Sequence, residues 1–347
     1  MVRHRRAAGG ASSPVPIFVD GAMRVALIGA GAVGARAARQ LASTDTVDAV
    51  LVSDADDERA RGVVASLGED RASVVSEPDA VDVAILATPG GTQLDVARGF
   101  VARGVSVVSV ADGIEEVRSL LELDDVARRN GVSVVIGAGF SPGLTCVLAA
   151  HAAAALDHVD EVHVAKVGTG GPSCAEAHHR ALAGAALDWR DGSWVTRRAG
   201  SGRELCWFPD PIGGEDCYRA ALPDALLLAP AFPGVERITA RMGANRRDRV
   251  TARFPMLRPP HPEGGPGAAR VEVRGRRGRA RVVQVLGAMD RPAVAAGTVA
   301  ALAAVAAGSG QLRRSGAGGL AELVDPLWFL GLLARRGVKA AVFEGAA

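Results

Sequence analysis

Val25-Ala-Leu-Ile28 is a short uncharged apolar run, and Gly29-Ala-Gly-Ala-Val-Gly34 follows it directly. No other stretch restricts the fold as narrowly. An apolar run of this length without alternation suits a strand buried on both faces of a parallel sheet. Residues 35–41 then form a helix-favouring run with no breaker. Gly29 permits a tight strand-to-helix turn, Gly31 leaves the backbone open to a pyrophosphate, and Gly34 lets the helix pack close to the strand. The helix N-terminus offers free N–H groups and partial positive charge to that anion. A second apolar run, residues 47–53, ends in Asp54, where a carboxylate meets an adenosine ribose. Strand, glycine loop, helix, strand and acid, in that order, predict a dinucleotide site. Its residues are Gly29, Ala30, Gly31, Ala32, Val33, Gly34 and Asp54. The competing reading is a tight glycine turn in some other α/β protein.

The alternation continues. Residues 56–67 read as a helix, 72–76 as a strand and 81–88 as a buried strand stopped by Pro89. Residues 92–103 and 114–130 read as helices, 105–110 and 132–136 as strands. This βαβ order predicts an α/β, Rossmann-type doubly wound parallel sheet. Ligands on such sheets sit beyond the carboxyl ends of the strands. That brings Thr88, Pro89, Asp112 and residues 137–143 to the edge that holds the glycine loop. After Pro142 the pattern changes. Residues 144–156 read as a helix, 159–167 as a strand, 168–173 as a glycine loop and 174–189 as a helix. Short strands follow, then a Pro/Gly loop at 256–267 and a hairpin turning at Arg276-Arg-Gly278. Together they predict a smaller α+β unit with an antiparallel sheet.

The chain has 347 residues, 48% of them hydrophobic, which is enough for two cored domains. A net charge of +2 argues against nucleic acid or a membrane surface as the main partner. The arginines of the hairpin read as a solvated face. No transmembrane run is evident, and residues 1–22 lack the apolar core of a signal peptide; they read as a flexible N-terminal extension. Cys146, Cys174, Cys206 and Cys217 form no CxxC pair, and a reducing cytoplasm is the simpler setting. Cys174 and His178 share a face if their segment is helical, and with Cys206 and Cys217 they would make a zinc set. Separate thiols are the simpler reading, and no metal is expected.

Three segments make the chain resemble the saccharopine dehydrogenase-like family, which includes lysine 6-dehydrogenases and carboxynorspermidine dehydrogenases. They are the glycine loop, Gly137-Ala-Gly-Phe-Ser-Pro-Gly-Leu-Thr145, and the tail from Glu322-Leu-Val-Asp to Arg336-Gly-Val338. The resemblance spans nearly everything from Met23 onward and is weakest over residues 166–260. It implies a nicotinamide-binding domain with an inserted substrate domain, a homodimer, and chemistry at C–N bonds of amino acids or polyamine precursors. Apolar C-terminal segments, which need a surface to cover, agree with that division. Residues 23–143 plus 290–347 form the Rossmann domain, and 144–289 the substrate and dimerisation domain.

A hydride transfer of this kind needs proton transfer beside the reacting carbon. Lys166 ends the first strand of the second domain next to the glycine loop; only Lys339 competes with it as a lysine. Burial would suit Lys166 to acid–base work, whereas a surface lysine at a strand end is the plain alternative. His179 is the second candidate, since only one of His178 and His179 can face a cleft. Asp210, before Pro211, is the third, with turn formation as its plain alternative. The helix start near Pro142 and the amides of Gly168 to Gly171 are candidate anion sites. The expected activity is NAD(P)-dependent oxidation or reduction at an amine or imine carbon of a small molecule. Alternatives are a dehydrogenase acting on a C–OH group, of homoserine dehydrogenase type, and a non-catalytic nicotinamide-binding redox sensor. Asp54 favours NAD, because NADP brings a 2′-phosphate of about −1.5 to −2 charge to the same carboxylate. NADP stays open through Arg59 and Arg61, which fall inside the predicted helix and read as solvated.

Overall fold

The glycine-loop strand, β1 (Met23–Ile28), lies in the interior of a seven-stranded parallel sheet. On one side stand β2 (Val47–Ser53) and β3 (Ala72–Val74). On the other stand β4 (Val83–Leu86), β5 (Ser106–Ser109) and β6 (Ser133–Ile136). The strand order therefore reverses between β1 and β4, which opens a crevice at the carboxyl ends of both. All four residues of β4 and of β6 are buried, as a strand covered on both faces requires. The computed structural model describes residues 23–68, 70–256, 259–338 and 340–343. The expected N-terminal extension lies outside the described residues. One predicted helix divides in two, Ile114–Leu121 and Asp124–Arg129.

The second sheet contains β7 (His158–Val167), β8 (Ala185–Arg190), β9 (Ser193–Arg198), β10 (Glu204–Trp207) and β11 (Gly214–Arg219). It continues with β12 (Arg237–Gly243), β13 (Gly267–Arg277) and β14 (Ala280–Asp290). The chain ends with β15 (Gly316–Gly319) and β16 (Ala340–Phe343). β15 pairs with β6 and joins the first sheet, while β16 pairs with β14 and joins the second. The second sheet runs β10-β11-β12-β7-β13-β14-β16, with β8 branching from β12 and β9 paired to β8. It is mixed rather than antiparallel, because β7 and β12 run parallel.

The helix expected over residues 174–189 stops early. The observed helix is Pro172–Ala181, and residues 185–190 become β8. The cause is Asp191-Gly192, whose φ values of 48° and 80° make a hairpin turn between β8 and β9. Asp-Gly is a strong hairpin signal, and tertiary pairing with β12 completes the override of a weak helical preference.

Two helices join the units. Leu144–Ala153 packs on β13 and β14 and is covered by Leu320–Leu323 and Pro326–Arg335, which explains why it is apolar nearly all round. Pro292–Gly308 lies along the glycine-loop helix Ala32–Ala42 and against β4 and β5. On the far face of the hairpin, Arg276 pairs with Asp160 at 2.9 Å and Arg274 with Glu161 at 3.2 Å. These pairs make part of the arginine cluster a solvated ion-pair face. Among the described residues no helix is long and apolar enough to cross a membrane.

Candidate active site

A cleft of about 800 Å³ opens between the carboxyl edge of the first sheet and the segment that follows β7. Its first wall is the glycine loop. Gly31 is the N-cap of Ala32–Ala42, and no side chain caps that helix. The amides of its first turn therefore face the cleft with no side-chain acceptor. A Cβ built on Gly31 would meet nothing within 4 Å, whereas one on Gly34 would overlap the carbonyl oxygen of Gly29. The space over Gly31 and the uncapped amides fit a pyrophosphate; the closure at Gly34 is helix-to-strand packing. Asp54 lines the cleft after β2 and braces the loop. Its Oδ2 accepts from the Ala30 N–H at 2.6 Å and its Oδ1 from the Asp56 N–H at 2.8 Å. A carboxylate has lone pairs left for hydroxyl donors. Arg59 lines the cleft and reaches Asp54 at 3.5 Å and Asp56 at 3.2 Å. It is half-exposed, as a solvated residue would be, yet its guanidinium reaches the Asp54 carboxylate.

Thr88 and Pro89 form the floor after β4. Gln93 donates to the Thr88 carbonyl at 2.9 Å and accepts from the Ser109 hydroxyl at 2.7 Å. Glu116 accepts from the Gly91 and Gln93 amides, both at 2.9 Å, and so fixes the start of the helix Gln93–Ala102.

At the other end four titratable side chains meet. Lys166, near the end of β7, is only 1% exposed. Its Nζ donates to the Ser141 carbonyl at 3.0 Å and lies 2.8 Å from His178 Nε2. His178 Nε2 is 3.4 Å from Asp112 Oδ2, and Cys174 Sγ is 3.6 Å from the same nitrogen. Only one proton can lie between Lys166 Nζ and His178 Nε2, so the two nitrogens form a proton-sharing couple. Burial opposes charge on Asp112, His178 and Cys174. For Asp112 that effect is outweighed by the His178 hydrogen bond and charge and by Lys166, and its carboxyl is held below the usual range. His178 is buried and faces the Lys166 charge, both of which favour the neutral ring, yet Cys174 and Asp112 together shift it upward. Asp112, Cys174 and His178 carry donor atoms within 4.8 Å of one another, a spacing that metals use. The Lys166 amine, 2.8 Å from His178 Nε2, occupies one side of that nitrogen.

The loop beneath Lys166 is held from below. Ser141 and Thr145 hydroxyls both donate to Asp224 Oδ1, at 2.9 and 2.8 Å. Asp224 is fully buried, and burial raises its carboxyl above the usual range despite the Lys166 charge and those hydroxyls.

Of the residues expected from sequence, the structure brings Gly29, Ala30, Gly31, Ala32, Val33, Asp54, Thr88, Pro89, Asp112 and Lys166 into one cleft, while Gly34 packs beneath it against Gly29. It does not bring His179 or Asp210 there. His179 is one residue, about 100° of helix, past His178. Its Nε2 instead faces the Thr251 carbonyl at 3.0 Å and the Phe254 carbonyl at 3.2 Å. Asp210 is exposed in the turn between β10 and β11. His178 is the cleft histidine, and its i,i+4 spacing from Cys174 was the available signal. Ser141 and Asp224 carried no such signal, because their contacts span 83 positions in the chain.

Residues 23–137 match the family model described as "Oxidoreductase family, NAD-binding Rossmann fold". The fold is similar to saccharopine dehydrogenase (L-Glu forming) from Saccharomyces cerevisiae. That similarity has a TM-score of 0.64 and 13% identity, and covers 92% of this chain and 100% of that one. A C. glutamicum DAP dehydrogenase in complex with DAP aligns at TM-score 0.49 and 16% identity over 90% of this chain and 98% of that one. The first sheet is thus an NAD-binding Rossmann unit, and the expected likeness to saccharopine dehydrogenase holds for the fold.

Proposed function

We propose that the protein is an NAD(P)-dependent oxidoreductase acting at the C–N carbon of an amino acid or related small amine. The observation that carries this reading is the Asp112–His178–Lys166 cluster at one end of a cleft whose other end is built for a dinucleotide. A bound nicotinamide would supply the hydride acceptor or donor. The chain's own residues supply the rest. The uncapped amides after Gly31 bind the pyrophosphate, and Asp54 accepts from ribose hydroxyls. Asp112 presents an ionised carboxylate suited to a substrate ammonium. Lys166 and His178, 2.8 Å apart, can pass a proton to or from a substrate nitrogen. Phe140 and Pro142 line the same wall and keep water from the reacting carbon. A cleft equipped with acid–base groups favours an enzyme over a nicotinamide-binding protein without catalysis.

NAD over NADP, a homodimer and a cytoplasmic setting belong to the same proposal. Asp54 supports the first, the family resemblance the second, and four free cysteines the third. So does the division into a Rossmann domain, 23–143 plus 290–347, and a substrate domain, 144–289; β15 supports it, while β16 on the second sheet runs against it at the extreme end. The test is a screen of amino acids, diamines and keto acids with ammonia, following nicotinamide absorbance. Lys166→Met should lower turnover on the substrate found by roughly 10²–10⁴-fold. Unchanged turnover in that variant, or activity confined to alcohols, would refute the reading.

A further inference from the structure

Cys174 is the only thiol lining the cleft among the described residues, and the proposed hydride transfer leaves it without a task. It is the third residue of the helix Pro172–Ala181 and is half-buried. Its sulfur accepts from the Gly170 N–H at 3.4 Å and lies 3.6 Å from His178 Nε2, the nitrogen that Asp112 Oδ2 also approaches, at 3.4 Å. The arrangement sets a thiol beside an imidazole, the pairing that activates a cysteine sulfur. The other cysteines differ. Cys146, Cys206 and Cys217 are buried among apolar side chains, and burial pushes the Cys146 thiol up to about 12.

We propose that Cys174 is a covalent modification site, at which soft electrophiles and peroxides entering the cleft react with a sulfur activated by His178. With hydrogen peroxide the thiolate attacks one oxygen, the S–O bond forms and the O–O bond breaks. The departing hydroxide takes the His178 proton and leaves as water. Sulfur is oxidised to a sulfenic acid and the peroxide is reduced. No second cysteine lines the cleft to close a disulfide, so a small thiol must resolve the product. Three charged groups face the sulfur: His178 on its own helix, Lys166 on β7 and Asp112 after β5. Burial disfavours the thiolate, and Asp112 adds to that. The His178 charge and hydrogen bond, with a smaller effect of Lys166, outweigh both and hold the thiol below its usual value.

The segment bearing Cys174 sits directly on the dinucleotide wall, since a Cβ on Gly171 would meet the Ala32 Cβ at 2.8 Å. A dinucleotide filling the cleft therefore screens the sulfur, a consequence that rests on the nicotinamide reading. The experiment is alkylation of the full chain by iodoacetamide at mildly acidic pH, with the modified residue located by peptide mass spectrometry. Cys174 should react roughly tenfold or more faster than glutathione under the same conditions, and His178→Asn should remove most of that advantage. Wild-type Cys174 reacting no faster than glutathione overturns the proposal, whether or not the variant folds. NADH, with its binding confirmed by its own fluorescence, should slow the labelling. Unslowed labelling with NADH bound overturns the screening. If NADH does not bind, the cofactor reading fails instead, and the alkylation rate still decides the role of the thiol.

Discussion

Replacing Gly31 and Gly34 by alanine should separate ligand space from packing space. Gly31 has φ −70° and ψ −168°, a backbone any residue adopts, and its built Cβ meets nothing within 4 Å. The folded protein should therefore accept Gly31→Ala with little strain. Alanine is a poorer N-cap than glycine, by up to about 1 kcal/mol, so Tm should fall by a few degrees at most. The new methyl occupies the space that the pyrophosphate needs. Overpacking of that size costs about 1–3 kcal/mol, or roughly 5- to 150-fold in Kd at about 1.4 kcal/mol per decade. Gly34→Ala is the opposite case. Its Cβ would overlap the Gly29 carbonyl oxygen, and helix and strand must separate to admit it. Stability and binding should fall together, stability by about 1–3 kcal/mol or more. Thermal melts and NADH fluorescence titrations of both variants measure the two effects. A Gly31→Ala protein that binds NADH like the wild type would refute the assignment of that space to the cofactor. A Tm loss equal to that of Gly34→Ala would refute the packing argument.

Two further outcomes follow from the same geometry. Wild type should bind NADH about tenfold or more tightly than NADPH, since an unpaired charge in a partly desolvated site costs about 1–3 kcal/mol. Asp54→Ala should narrow that ratio while weakening both cofactors, because Ala30 loses its acceptor; equal affinities in wild type, unchanged in the variant, would remove Asp54 from the choice. For Glu272, burial pushes the carboxyl up, but the Arg270 and Arg274 guanidinium groups outweigh it and hold it below 4.5. A depressed acid stabilises the fold above its unfolded value, and that contribution is lost as pH falls through the folded value. Wild-type Tm should thus drop more steeply below pH 4.5 than that of Glu272→Gln, as read from melts across the acid range; parallel curves would show that the ion pairs contribute nothing net.

The half of the cleft proposed for the dinucleotide was legible because its pattern is written in consecutive residues. A buried strand, a glycine loop, a helix and an acid at the end of the next strand each leave a local signature. That made Gly29 to Gly34 and Asp54 readable, and the edge rule for parallel sheets added Thr88, Pro89 and Asp112. Lys166 was found by its place at a strand end and by its rarity. Only the tertiary structure decided its surroundings. Lys166, His178, Asp112 and Ser141 come from β7, a helix, the end of β5 and a loop. No local pattern records that these four elements converge, nor which of two adjacent histidines turns inward. A one-residue difference on a helix is about 100° of rotation, and the phase is set by what the helix packs against. The same holds for β15. Gly-Ala-Gly-Gly has no strand preference of its own, and it is a strand because β6 offers an edge with unpaired backbone groups that its amides and carbonyls satisfy.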